Sequence, residues 1–195
     1  MSSCKGKTLA KPAGNSCDRR PPQSKENTLA DWVEEYLKDY GNCYQKEAKW
    51  WGDKTLDWDR ALERAWLSQC PNGKMHPHQC NVGYAKLAEG LKVAQSDNIQ
   101  ADYFQTFEQL FNWVKSVTGP ICRLGKMTTY DVSLRLGMWL DLYPTVVYLH
   151  RGTAEGAKKF NVKGETAPLS AFPPEIQKLE PIHAENFLCI YKDCL

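Results

Sequence analysis

The chain has 195 residues, 42% of them hydrophobic and 25% charged, with Lys and Arg at 25 against Asp and Glu at 23. That length fits one domain with one sizeable core better than two, and the composition is that of an ordinary globular protein. A net charge of +2 gives no argument by itself for a nucleic-acid or an acidic partner. No stretch approaches the roughly 20 apolar residues of a membrane span, so no membrane partner is expected. Met1 is followed by Ser, Cys, Lys and Gly without an apolar signal segment. The expected location is therefore intracellular, in the reducing cytoplasm. The eight cysteines (4, 17, 43, 70, 80, 122, 189 and 194) show no framework spacing, and most are read as free thiols.

Residues 1–27 are rich in Gly, Pro, Ser and Lys and nearly free of large apolar side chains, which predicts a disordered tail. The first 26 residues hold six basic side chains (Lys5, Lys7, Lys11, Arg19, Arg20, Lys25) and two acidic ones (Asp18, Glu26). The tail is therefore basic and the body slightly acidic. A single α-helical domain is expected over 28–195.

Thr28 is placed to cap a helix carrying Leu29, Trp32, Val33, Tyr36, Leu37 and Tyr40, an apolar stripe at helical spacing. Gly41-Asn42 is expected to end or interrupt it. Asp57 or Asp59 opens a second helix with Leu62, Ala65 and Trp66 inward, stopped before Pro71-Asn72-Gly73. Residues 74–80 read as irregular. A third helix follows over Tyr84–Ala94. A fourth, with Tyr103, Phe104, Phe107, Leu110, Phe111, Val114 and Val117, closes at Gly119-Pro120.

Residues 128–142 alternate like a strand at Val132, Leu134, Leu136, Met138, Leu140 and Leu142, but Trp139 breaks the alternation and fifteen residues is long for a strand. A buried helix is the chosen reading. Val146 to Tyr148 are β-prone but too few for a sheet. A short helix starts at Gly152-Thr153, a Pro-rich connection follows (Pro168, Pro173, Pro174), and a final helix covers about 182–193. The fold class is all-α, a bundle of about six to eight helices.

Three segments carry candidate chemistry. Residues 121–129 read Ile-Cys-Arg-Leu-Gly-Lys-Met-Thr-Thr between two helices. Ile121, Leu124, Gly125, Thr128 and Thr129 give the segment a resemblance to the helix-hairpin-helix element of the DNA glycosylase superfamily, with Arg123 where its first glycine is expected and Cys122 where proline is common. The helix-hairpin-helix-like element spans about 104–142. The likeness extends weakly along 104–150, through Pro144-Thr145-Val146-Val147-Tyr148-Leu149-His150. It implies phosphate contact by backbone N–H groups at a glycine turn and helix N-terminus, a contact that positions DNA without reading its sequence. Arg123, Gly125, Lys126 and Thr128 would make that contact. The family's catalytic Lys is replaced by Met127, and its catalytic Asp by Leu149 or Tyr148. The resemblance therefore implies DNA binding without a working glycosylase, and it assigns no catalytic residue.

Cys70, His76, His78 and Cys80 fall within eleven residues. Two thiolates and two imidazoles suit tetrahedral zinc, although structural zinc sites usually use two tight knuckles separated by a longer loop. The alternative is a polar turn. Finally, His150-Arg151-Gly152-Thr153 runs into a helix N-terminus, so Arg151 is a candidate anion contact. No Walker loop, G-x-S-x-G elbow or H-E-x-x-H motif is present.

The leading functional reading of the sequence is a DNA-binding helical protein; the alternatives are a helical protein-interaction module, favoured by the seven tryptophans, and a small metal- or His-dependent enzyme around His76, His78 and His150. A closed cavity that collects the histidines would favour the third.

Overall fold

The computed structural model describes residues 27–195; the expected basic tail lies outside the described residues. The fold is all-α, as the periodicity predicts, with one two-stranded antiparallel sheet among the described residues.

Helix α1 runs Leu29–Trp51. Thr28 caps it in a reciprocal box: its hydroxyl accepts from the Asp31 N–H, and its own N–H donates to Asp31 Oδ2 at 2.7 Å. The helix passes straight through Gly41-Asn42 and ends at Gly52, which corrects the expected break. A glycine in a helix interior costs only about 1 kcal/mol. Burial of Tyr36, Tyr40 and Trp51 on one face outweighs that cost.

Asp57 caps α2 (Trp58–Trp66), accepting from Arg60 N–H at 2.9 Å. Gln69 and Met75 then form a β-bridge that closes the 70–74 turn, and a single 310 turn occupies Pro77–Gln79. Helix α3 spans Tyr84–Ser96 and α4 spans Phe107–Thr118. The expected fourth helix is thus shortened at its start, because Thr106 caps it by accepting from Gln109 N–H and Ala101–Tyr103 forms a separate 310 turn.

Helix α5 covers Lys126–Leu140, ten of its residues buried. The alternation in that stretch is the signature of a helix covered on most sides, not of a strand. Val147–Tyr148 (β1) pairs antiparallel with Thr166–Ala167 (β2). Helix α6 is Arg151–Lys158 with His150 as its N-cap residue, α7 is Pro174–Gln177 and α8 is Pro181–Ile190. The last helix ends earlier than expected, since residues 191–195 turn back towards α6: Lys159 Nζ donates to Leu195 O at 3.0 Å.

The apolar side chains gather in two main clusters. One lies among α2, α3, α4 and α5, around Trp66, Leu87, Leu110, Val114 and Leu136, all essentially without solvent contact. The other joins the first half of α1 to β1, α6, α7 and α8, around Tyr36, Ile176, Phe187, Leu188 and Tyr191. Phe107, Tyr130 and Tyr148 form a smaller cluster of their own. Helices α1 and α5 pack on one another, and a cleft opens where α1, α5 and α8 meet.

No helix among the described residues is long and apolar enough to cross a membrane. Of the described cysteines, 70, 80, 122, 189 and 194 are free thiols, while Cys43 is disulfide-bonded. The reading of most cysteines as free holds for these five, and Cys43 is an exception to it.

Candidate functional site

The cleft has a volume of about 590 Å³ and is lined from α1, the 76–79 turn, α5, the α6 cap and α8. Its polar side chains come from three places that the sequence separates widely.

The first is the inward face of α5. Asp131 and Arg135, one helical turn apart, are only 9% and 5% exposed. A buried ionised side chain must have its hydrogen-bonding groups satisfied, and those of both residues are taken up by protein partners. Arg135 donates to Ser68 Oγ at 2.7 Å and to Gln79 Oε1 at 2.7 Å. Its guanidinium carbon stands 4.7 Å from the centre of the Trp51 ring. Gln79, fully buried, turns its amide to Asp131 Oδ2.

The second place is the 76–79 turn, which the Pro77 ring and the Gln79 anchor hold against α5. His78 presents Nδ1 to the same Asp131 oxygen at 3.3 Å. The His78 side chain is about half exposed, and the hydrogen bond to Asp131 raises its pKa against a partial loss of solvent. Burial alone would raise Asp131, but the hydrogen bond and charge of His78, with Arg135 and Gln79, hold that carboxyl well below the usual carboxylate range. His76 lies beside His78, their ring centres 4.7 Å apart, with its Nε2 3.5 Å from Glu47 of α1.

The third is the junction of α6 with α8. His150 Nε2 sits 2.8 Å from Glu185 Oε1, and both residues are buried. The oxygen lies off the axis of the ring N–H, so the contact is an ion pair rather than a linear hydrogen bond. Thr153 donates to the same carboxylate oxygen at 2.6 Å. Burial would lower the His150 pKa, but Glu185 and the more distant charge of Asp131 raise it further than burial depresses it. The charge of His78 pushes the other way, so the two histidine–carboxylate pairs sense one another.

Tyr130 lines the same cleft. It is 2% exposed, its ring centre is 5.2 Å from that of His150, and its hydroxyl has no protein hydrogen-bond partner. Burial, reinforced by Glu185 and Asp131, raises its pKa well above the ordinary value, so it stays a neutral phenol. Cys189 also lines the cleft, but burial pushes its thiol up to about 11, which leaves little thiolate near neutrality. A smaller cavity of about 220 Å³ lies near the start of α5, and Tyr130 and His150 line both cavities.

Of the residues singled out on the sequence, the structure brings His76, His78 and His150 to one cleft. It does not assemble Cys70, His76, His78 and Cys80 as a zinc site. No three His, Cys, Asp or Glu among the described residues are grouped to hold a metal. His78 instead turns to Asp131, His76 turns to Glu47, and Cys80 Sγ points to the His76 carbonyl at 3.7 Å.

The hairpin residues lie at the start of α5. Gly125 is its N-cap, with open space around it and no side-chain cap. Lys126 is exposed but ion-paired with Glu165 at 2.8 Å. Arg123 adopts φ +78° and donates to the Asn81 carbonyl. Thr128 is 2% exposed, which corrects its placement as a surface phosphate contact. Arg151 opens α6 and is exposed.

Asp131, Arg135, Glu185 and Tyr130 were not singled out on the sequence. The available signal was charge at apolar positions: Asp131 and Arg135 interrupt a helix buried on most sides, and Glu185 interrupts the Ile182–Tyr191 run. No family model matches this chain, and no characterised protein or solved structure matches it either.

Proposed function

We propose that the chain is a small-molecule enzyme that works by general acid–base catalysis in the α1–α5–α8 cleft, with His78 and His150 as the proton-transferring pair. One observation carries the reading: two histidines from separate segments, each backed by a buried carboxylate, share a cavity with a buried phenol whose hydroxyl has no partner. A carboxylate fixes the orientation of an imidazole and stabilises its charged form. With one imidazole protonated and the other neutral, one ring is an acid and the other a base, the division of roles that proton abstraction from one side of a substrate and donation to the other requires. Tyr130, as a neutral phenol, is suited to hold a developing negative charge on a substrate oxygen.

The test is turnover of simple ester, amide, phosphoester and β-hydroxy-carbonyl substrates between pH 5 and 9. His78→Gln and His150→Gln are measured beside the wild type, with folding checked by circular dichroism. The expected result is a bell-shaped profile for the wild type and a loss of about a hundredfold or more in each variant, the usual contribution of a positioned acid or base. No turnover by the wild type, or turnover that both variants retain, removes the reading.

A second reading, DNA binding at the hairpin, is favoured by the uncapped, open start of α5 at Gly125 with Lys126 and Arg151 exposed. The pairing of Lys126 and Lys115 with Glu165 reduces the charge offered there. The measurement is binding of a labelled short duplex at two salt concentrations. Salt-sensitive binding lost in Gly125→Ala and Lys126→Glu supports it, and no binding at low salt ends it. The interaction-module class has less support, because the exposed large apolar side chains are spread over α1, α3, the turn before α4 and the loop after α5.

A further inference from the structure

We infer that the cleft selects a small organic cation, an amine or ammonium compound, as its ligand; this rests on the acid–base reading of the same cleft.

The first ground is charge. Four carboxylates line the cavity, from Glu47, Asp131, Glu185 and Asp193, against two permanent cations, Arg135 and Lys192. Both cations are committed to other groups. Arg135 is held by Ser68, Gln79 and the Trp51 ring, and Lys192 is paired with Glu155 at 2.5 Å. With neutral imidazoles, the lining therefore carries a surplus of negative charge. An anionic ligand would find no unengaged cation, whereas a cationic one meets Glu47, about half exposed, and Asp193, exposed at the rim.

The second ground is the aromatic wall. Tyr36, Tyr40 and Tyr44 line the cavity from successive turns of α1, with Tyr130 opposite on α5. Aromatic faces attract a desolvated cation, and several around one cavity with carboxylates behind them make a cation-binding environment. Burial raises the pKa of Tyr36 and Tyr44, so these rings stay neutral.

The third ground is an unmet demand inside the site. The Tyr130 hydroxyl is buried and has no partner, and His150 Nδ1 is likewise unpartnered. Leaving a buried polar group unsatisfied costs about 1–3 kcal/mol. The N–H of an ammonium group supplies a hydrogen bond to either acceptor, whereas a quaternary ammonium does not. The inference therefore extends to a ranking: a primary amine binds better than its fully methylated counterpart.

Binding also competes with protons. The imidazoles face Glu47 and the α1 phenols, Asp131, Arg135 and Tyr130 on α5, and Glu185, Cys189, Lys192 and Asp193 on and after α8. Protonated His78 and His150 cancel the negative surplus, so a cation binds more tightly as pH rises and these rings deprotonate.

The experiment is calorimetric titration of the full chain with benzylammonium, benzyltrimethylammonium, benzyl alcohol and benzoate at pH 6 and pH 8. The expected order at pH 8 is benzylammonium ahead of benzyltrimethylammonium, then benzyl alcohol about tenfold or more weaker than the first, with benzoate weakest. Benzylammonium should bind less tightly at pH 6. The double variant Glu47→Gln, Asp193→Asn, whose changes lie at the open rim, should weaken benzylammonium about tenfold and leave benzyl alcohol unchanged. Benzyl alcohol or benzoate binding as well as benzylammonium, no binding of either cation, or cation binding untouched by the double variant overturns the inference. Turnover lost in the histidine variants without cation preference sinks only this inference. Selective cation binding with turnover indifferent to those variants sinks only the acid–base reading.

Discussion

Replacing Gly156 with alanine tests the contact on which half of the cleft depends. A Cβ at Gly156 would lie 2.2 Å from the Leu188 carbonyl oxygen, 2.9 Å from its carbon and 3.1 Å from its Cα. These are backbone atoms of α8, so no rotamer change relieves the contact, and α6 must move away from α8. Inserting a methyl group into a packed contact costs about 1–3 kcal/mol, here at the upper end because backbone must shift. Alanine returns up to about 1 kcal/mol through its better helix propensity. The net expectation is a loss of about 2 kcal/mol, or a melting temperature lower by roughly 4–8 °C for a chain of this size.

Gly41→Ala is the matched control. It lies inside α1 with nothing within 4 Å of its would-be Cβ, so it should gain about 0.5–1 kcal/mol. Denaturant unfolding of both variants gives the stabilities, and proton NMR of the histidines gives the local effect. Separating α6 from α8 moves His150 away from Glu185, so the His150 pKa should fall in Gly156→Ala and stay in place in Gly41→Ala. Gly156→Ala as stable as the wild type, with the His150 titration unchanged, would refute the argument from close packing.

The remaining expectations concern titration, the buried phenol and a cap. The raised pKa of His78 contributes stability that is fully present below its ordinary 6.5 and is lost as pH rises through the folded value. The lowered pKa of Asp131 contributes stability present above its ordinary 3.8 and lost as pH falls towards its folded value. Denaturation midpoints across pH should therefore peak between those two ordinary values; a flat profile from pH 3 to 9 would contradict the buried pairing. Tyr130→Phe removes a buried hydroxyl that has no partner. It should leave stability unchanged or raise it by about 1 kcal/mol while abolishing turnover, whereas a large stability loss would mean that the hydroxyl is satisfied. Asp57→Ala deletes the cap of α2 and should cost about 1 kcal/mol in chemical denaturation, without altering the histidine titrations.

The helices were legible because their apolar spacing and caps are local properties. Thr28, Asp57 and the Gly119 stop are each read from a handful of neighbouring residues, and each stands where expected. Gly41 misled because the cost of a single glycine is small beside the burial of Tyr36, Tyr40 and Trp51, which depends on helices far along the chain. The cleft was legible only as scattered histidines. His78 and His150 draw interest on residue type alone, but their partners Asp131 and Glu185 lie 53 and 35 positions further on, and no local pattern connects them. The proximity of Cys70, His76, His78 and Cys80 along the chain suggested a shared ion. The fold instead spends the two imidazoles on carboxylates brought from other helices.

The pairing of the first helix with the last has a consequence for how the molecule is made. Tyr36 shares a hydrogen bond with His183 at 2.9 Å across 147 positions of sequence, and the Trp32 ring meets Tyr191. At ribosomal rates of roughly 5–20 residues per second, α1 leaves the exit tunnel on the order of ten seconds before the segment that covers its apolar stripe. The α2–α5 half holds an apolar cluster drawn from its own helices and is free to condense during that interval. The α1 stripe must meanwhile wait uncovered or rest on a temporary neighbour. Non-local closure of this kind is slow, so the step that completes the cleft is also the last one available to the growing chain. A nascent chain stalled before Glu185 would carry a formed bundle, an exposed row of tyrosines and both histidines, with His150 still lacking its carboxylate.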